Sequence, residues 1–166
     1  MAEPLSALLD PDCVALQVKE ANAEDVIRLL AEKLEAKDHV RSSFADAVIR
    51  REAAHPTGLS LGLAENIALP HADAVHVKSS AIAVATLAEP VDFRDMNGGG
   101  AVPVGLVVLA AIAEKDDQAA VSGQVTAVAK DRTLFERLLN ANNPDEIAAA
   151  LDRRPPPVDV EDEDDE

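Results

Sequence analysis

The sequence predicts an α/β domain, and three observations carry the prediction. Apolar residues make up 48% of the chain, yet only Phe44, Phe93 and Phe135 are aromatic. The core must therefore be built from Ala, Val, Leu and Ile, which suits small helices packed on a sheet. Residues 81–87 and 104–111 are continuous apolar runs rather than alternating ones, the pattern of strands buried on both faces. Around them lie segments of helical periodicity with recognisable caps. A chain of 166 residues is long enough for one domain with a real core.

Taken in order, residues 1–13 read as a lead-in, with a short edge strand at 14–18. Asn22 caps a helix that has Asp25 at its third position and Val26, Leu29, Leu30 and Leu34 at helical spacing. A second helix begins near Ser43 and runs through Phe44, Val48 and Ile49 until His55-Pro56-Thr57-Gly58 breaks it. Residues 66–70 form a brief strand stopped by Pro70. The apolar run at 81–87 is a buried strand, 90–93 a small separate one, and Gly98-Gly99-Gly100 a turn. Residues 104–111, the most apolar run, form the central strand. Helices follow at about 117–130 and 133–139. The last helix has Asn143 as cap, Pro144 first and Glu146 third. The domain is expected to span 14–151, followed at 152–166 by a proline-rich and acidic disordered tail.

Charge narrows the function classes. The net charge is −16, with 31 acids against 15 bases. Such a field repels phosphate backbones, so no nucleic-acid partner is expected. No apolar run approaches the roughly 18 residues of a membrane span. Met1-Ala2-Glu3-Pro4 has neither the basic region nor the apolar stretch of a secretory signal. Cys13 is the single cysteine, which leaves no internal disulfide and no multi-cysteine zinc site. A cytoplasmic location is expected. Phosphate-binding loops, dinucleotide fingerprints and nucleophile elbows are absent, so no nucleotide cofactor is expected.

The polar centre is Glu65-Asn66-Ile67-Ala68-Leu69-Pro70-His71-Ala72-Asp73. His71 follows the end of a buried strand, where open α/β sheets bind ligands. Pro70 fixes the backbone there and cannot donate to a ladder. An imidazole is a good phosphoryl carrier, because near neutrality one ring nitrogen is free to attack. Its other nitrogen needs an acceptor that fixes the tautomer. A cation should face the phosphoryl oxygens, and Arg51 on the preceding helix is the candidate. Read singly, these residues have plainer explanations. A Pro-His pair is a surface histidine, Arg51 a surface charge, and Glu65 and Asp73 solvate a loop. His71 and His76 lack a third ligand and make a poor metal pair, so no metal is expected. His39 and His55 read as exposed loop residues.

The segments Arg51-Glu52-Ala53-Ala54-His55-Pro56-Thr57-Gly58 and Glu65-Asn66-Ile67-Ala68-Leu69-Pro70-His71 resemble the fructose/mannitol-type (type 2) enzyme IIA family of the sugar phosphotransferase system. Pro56-Thr57-Gly58, Ala74-Val75-His76 and Lys78-Ser79-Ser80-Ala81-Ile82 are most similar to its galactitol-type branch. The resemblance implies a small mixed sheet of about five strands with helices on both faces. It implies that His71 is the tele-phosphohistidine, that Arg51 lies near the phosphoryl group and that Glu65 is an acidic residue close to the site. The fructose and mannitol members carry a second histidine at the start of the penultimate long helix. Gln118 stands there in this chain, a departure that speaks against a two-histidine mechanism, with His76 the imidazole that could compensate. The implied function is a phosphotransferase that takes phosphoryl from the phosphohistidine carrier HPr and gives it to a cysteine of an enzyme IIB, serving a membrane enzyme IIC in galactitol-like or fructose-like uptake. The alternatives are a regulatory, nitrogen-type domain of the same fold and a degenerate module that binds partners.

Overall fold

The computed structural model describes residues 5–152. The chain begins with α1 (Leu5–Leu8) and β1 (Leu9–Val18), then α2 (Ala23–Ala36), α3 (Phe44–Ala54), β2 (Gly58–Leu59) and β3 (Asn66–Ala68). The long strands β4 (Ala81–Arg94) and β5 (Ala101–Ala111) follow, and α4 (Gln118–Lys130), α5 (Arg132–Leu139) and α6 (Pro144–Leu151) complete the fold. The strands form one five-stranded sheet in the order β1-β4-β5-β3-β2. β1 runs parallel to β4, and β5 parallel to β3, while β4–β5 and β3–β2 are antiparallel. The sheet is thus mixed, and β5 is its central strand, as its apolarity predicts.

Helices cover both faces. On one, Val26, Ile27 and Leu30 of α2 and Phe44 and Val48 of α3 pack with Ala83, Ala85, Val107 and Leu109. On the other, Val121, Phe135 and Ile147 of α4, α5 and α6 pack with Ile82, Val84, Leu106 and Val108. The alternation along β4 and β5 is the two-residue period of a strand whose faces are both buried. The caps form as read: Asn22 Oδ1 accepts the Asp25 amide at 2.9 Å, and Asn143 Oδ1 accepts that of Glu146 at 3.0 Å.

Two segments differ from the sequence reading. The chain is built into the fold from Leu5, which is 1% exposed, so the segment read as a lead-in contributes a helix turn and the first part of β1. The acids and proline of Asp10-Pro11-Asp12 hide that strand; they fall in the irregularity between the Leu9↔Ile82 and Val14↔Val84 pairs. Residues 81–87 and 90–93 belong to one strand, interrupted by a register shift between Thr86 and Val91. Pro90 lies in that interruption and has no N–H to give to a ladder. Residues 153–166, the bulk of the acidic tail, lie outside the described residues. Among the described residues no helix is long and apolar enough to cross a membrane.

Candidate functional site

Two elements bring the polar residues together. α3 presents Ala47, Arg50 and Arg51 on one face, since residues three and four apart share a side of a helix. Opposite it runs the segment after β3. Pro70 ends the strand, but its carbonyl accepts the Ala110 amide at 3.1 Å and His71 bridges to Ala110, so the segment stays fastened to β5. It then turns through a short 3-10 helix, Ala74–His76. Arg41 holds that turn twice: its Nε donates to the Val75 carbonyl at 3.1 Å and its amide to the His76 carbonyl at 2.9 Å. Between α3 and this segment lies an open cleft of about 270 Å³ walled by Ala47, Arg50, Arg51, His55, Ala72, Asp73 and His76.

His71 precedes Ala72 of the cleft wall, is not itself one of the wall residues, and is half-buried. Its Nδ1 lies 3.1 Å from the Leu69 carbonyl. A carbonyl only accepts, so Nδ1 carries the proton and Nε2 keeps its lone pair in the neutral ring. Burial holds the His71 imidazole below its ordinary value of 6.5; the Leu69 carbonyl opposes this, Arg51 reinforces it, and Asp73 opposes it. The ring is therefore neutral at pH 7. Arg51 Nε is buried without a hydrogen-bond partner. An unmet buried donor is costly, and more so on a charged group. A guanidinium held beside a neutral imidazole is suited to an incoming anion.

Of the other residues read as site candidates, His76 stands on the cleft wall, its Nδ1 2.8 Å from Ser43 Oγ at the start of α3. Glu65 and Gln118 do not line the cleft. Glu65 lies across β5, where a Cβ on Gly105 would come within 2.8 Å of Glu65 Cβ; glycine makes room for it. Gln118 opens α4 and gives Nε2 to Ser122 Oγ at 3.0 Å on its own helix. Arg50 and His55 also line the cleft; the sequence reading passed over Arg50 and took His55 for an exposed loop residue, and exposed it is. The spacing of Arg50 and Arg51 from Ala47 on α3 was the available signal. His39, read as an exposed loop residue, is instead held between Asp10 and Ser79, away from the cleft.

The fold and site define a class: a mixed-sheet α/β domain that presents a neutral histidine at a strand end beside a cleft carrying arginines. The chain belongs to the family described as phosphoenolpyruvate-dependent sugar phosphotransferase system, EIIA 2, which matches residues 7–154. It is 35% identical over 153 residues to the 2-O-alpha-mannosyl-D-glycerate-specific EIIABC component of Escherichia coli, covering 89% of this chain and 22% of that protein. To the galactitol-specific EIIA component of E. coli K12 it is 36% identical over 94 residues, 57% of this chain and 61% of that one. The chain thus spans only part of these curated relatives. Among solved structures, the complex of enzyme IIAMtl with phosphorylated enzyme IIBMtl from E. coli superposes with a TM-score of 0.73 at 24% identity, over 88% of this chain and 98% of that one. That likeness establishes the fold.

Proposed function

We propose that this chain is a cytoplasmic phosphocarrier that accepts a phosphoryl group from HPr on Nε2 of His71 and passes it to a cysteine of an enzyme IIB. One observation carries the reading: Nδ1 of a neutral His71 is anchored on the Leu69 carbonyl, beside the unpartnered Arg51 Nε. The lone pair on Nε2 forms the new P–N bond as the donor's P–N bond breaks. Arg51 is placed to stabilise the transferring oxygens, in chemistry that consists mostly of positioning and charge. Delivery to the cysteine reverses the step, with His71 leaving. His76, and with it Arg50 and His55, supply further donors along the cleft. Glu65 and Gln118 are assigned no direct contact.

The relatives support the proposed partners and a sugar cargo. One solved neighbour of the same fold is itself a complex of an enzyme IIA with a phosphorylated enzyme IIB. The galactitol- and mannosyl-glycerate-specific relatives support a role in sugar uptake through a membrane enzyme IIC. Incubation with phosphoenolpyruvate, enzyme I and HPr should add one acid-labile phosphoryl group, and His71→Ala should add none. Equal labelling of the two proteins sinks the assignment.

A further inference from the structure

The Leu69 carbonyl that fixes the His71 tautomer is itself held by a chain of hydrogen bonds that starts on α3. Glu52, the residue after Arg51, turns its carboxylate the other way, onto Thr57. Its Oε2 accepts the Thr57 amide at 2.9 Å and its Oε1 the Thr57 hydroxyl at 2.8 Å. Thr57 is 9% exposed, so these bonds are shielded from water. With its hydrogen committed to the carboxylate, the Thr57 hydroxyl has only lone pairs left to offer. One of them accepts the Leu69 amide at 3.1 Å. The Leu69 carbonyl then faces His71 Nδ1.

The Leu69-Pro70 step is thereby gripped from both sides. Thr57 holds the Leu69 amide, and the Ala110 amide of β5 holds the Pro70 carbonyl. Gly58 lets Thr57 sit this close to the sheet, since a Cβ there would lie 2.6 Å from the Arg94 carbonyl oxygen. Burial pushes the Glu52 carboxyl up, while the two Thr57 donors and Arg51 oppose this. A buried carboxylate with both oxygens on one residue is a costly arrangement when its only return is a loop contact.

We propose that Glu52 and Thr57 are positioning residues, which fix the Leu69 backbone and so hold His71 as its Nδ1–H tautomer with Nε2 free to attack. The proposal rests on the reading of His71 as the phosphoryl acceptor. Neither residue touches the phosphoryl group; they act through Leu69. Thr57→Val keeps the shape but removes the hydroxyl, leaving the Leu69 amide and Glu52 Oε1 unmet. Thr57→Ser keeps the relay. Glu52→Gln replaces one acceptor by an amide that can only donate, so the Thr57 hydroxyl loses the acceptor that orients it.

The test combines the 15N imidazole spectrum of His71, taken at pH 8 where the ring is neutral, with the rate of phosphoryl transfer from HPr. The wild type and Thr57→Ser should show the Nδ1–H tautomer and equal rates. Thr57→Val should show a mixture with Nε2–H and transfer slower by about 10-fold or more, by analogy with losing the outer-shell partner that orients a metal-bound histidine. Glu52→Gln should shift both in the same direction and decides the question if Thr57→Val does not fold. Unchanged tautomer populations overturn the relay, as do shifted populations with an unchanged rate. A wild-type protein that takes no label from HPr refutes the assignment of His71 instead, and the tautomer populations still decide whether the relay sets the ring.

Discussion

His71 and His39 are both partly buried, both tied to neighbouring elements by ring nitrogens, and differently equipped. His39 has both nitrogens occupied, Nε2 at 2.8 Å from Asp10 Oδ2 and Nδ1 at 2.9 Å from Ser79 Oγ. It fastens β1 to the segment before β4, and its own carbonyl accepts the Lys78 and Ser79 amides. His71 has one nitrogen anchored, on a backbone carbonyl. The other, which the proposed function uses for phosphoryl transfer, is free, and nearby Arg51 has an Nε without a hydrogen-bond partner. A carboxylate and a hydroxyl, one on each ring nitrogen, immobilise His39; a single carbonyl partner orients His71 and leaves its other nitrogen free. On the proposed reading of His71, burial alone does not make a histidine reactive. What decides is whether its second nitrogen is spent.

The sharpest break of this comparison is a pair of alanine substitutions. His71→Ala should abolish phosphoryl labelling and leave the melting temperature close to wild type. His39→Ala should leave labelling intact and cost about 1–3 kcal/mol of stability, because it strips a partner from Asp10. Thermal unfolding and labelling of both proteins measure this. Loss of labelling in His39→Ala, with the fold retained, would contradict the division of roles.

Arg51→Lys comes next in size. It keeps the charge but loses the planar fork, so transfer should slow by about 10- to 1000-fold, the range for removing a charge-stabilising donor. An unchanged rate in quench-flow removes Arg51 from the transfer step.

The pH dependence separates His71 from Asp10, the carboxylate that holds His39. The folded His71 ring titrates below 6.5, so between its folded and unfolded values the unfolded chain binds more protons. Stability therefore rises with pH through that window and is lost as pH falls below about 6.5. Asp10 behaves as a depressed carboxyl: burial raises it, but the His39 hydrogen bond, the Asp12 amide and the charges of Lys37 and His39 together bring it below 3.8. Its contribution is present above 3.8 and lost as pH falls through the lower folded value. Removing His71 should flatten the stability curve just below pH 6.5, and Asp10→Asn should flatten it below pH 4. Denaturant melts across pH check both, and a His71→Ala curve with the wild-type slope near pH 6 contradicts the first.

Most of the frame was legible in the sequence because it is local. Asn22 and Asn143 cap helices through amides three residues on, and the apolar runs on β4 and β5 announce a buried sheet. Pro70-His71 was legible for the same reason, as a strand end with a fixed backbone. What was not legible depends on contacts between distant residues. Nothing near His39 in sequence indicates that Asp10 and Ser79 enclose it. Arg50, His55 and His76 reach one cleft only because α3 and the segment after β3 are laid side by side. Asp10-Pro11-Asp12 reads as a loop by composition, yet lies in a strand held by β4 and by a buried Cys13. The resemblance also placed Glu65 and Gln118 at the site; like His71 itself, neither is among the residues that wall the cleft.

The smallest expected effect follows from that last difference. Gln118 spends its amide on Ser122 of its own helix, so Gln118→His should leave transfer nearly unchanged. His76→Ala, which removes a cleft wall residue, should slow transfer more than Gln118→His does. Steady-state transfer from HPr with both variants ranks them, and the opposite order would return Gln118 to the phosphoryl site.

The most direct test of the central claim is the linkage itself. Phosphorus–nitrogen correlation in the phosphorylated, 15N-labelled protein shows which ring nitrogen of which histidine holds the phosphoryl group. With Nδ1 anchored on the Leu69 carbonyl, the phosphoryl group should appear on Nε2 of His71 alone. Phosphorus on Nδ1 of His71, or on His76, would contradict it.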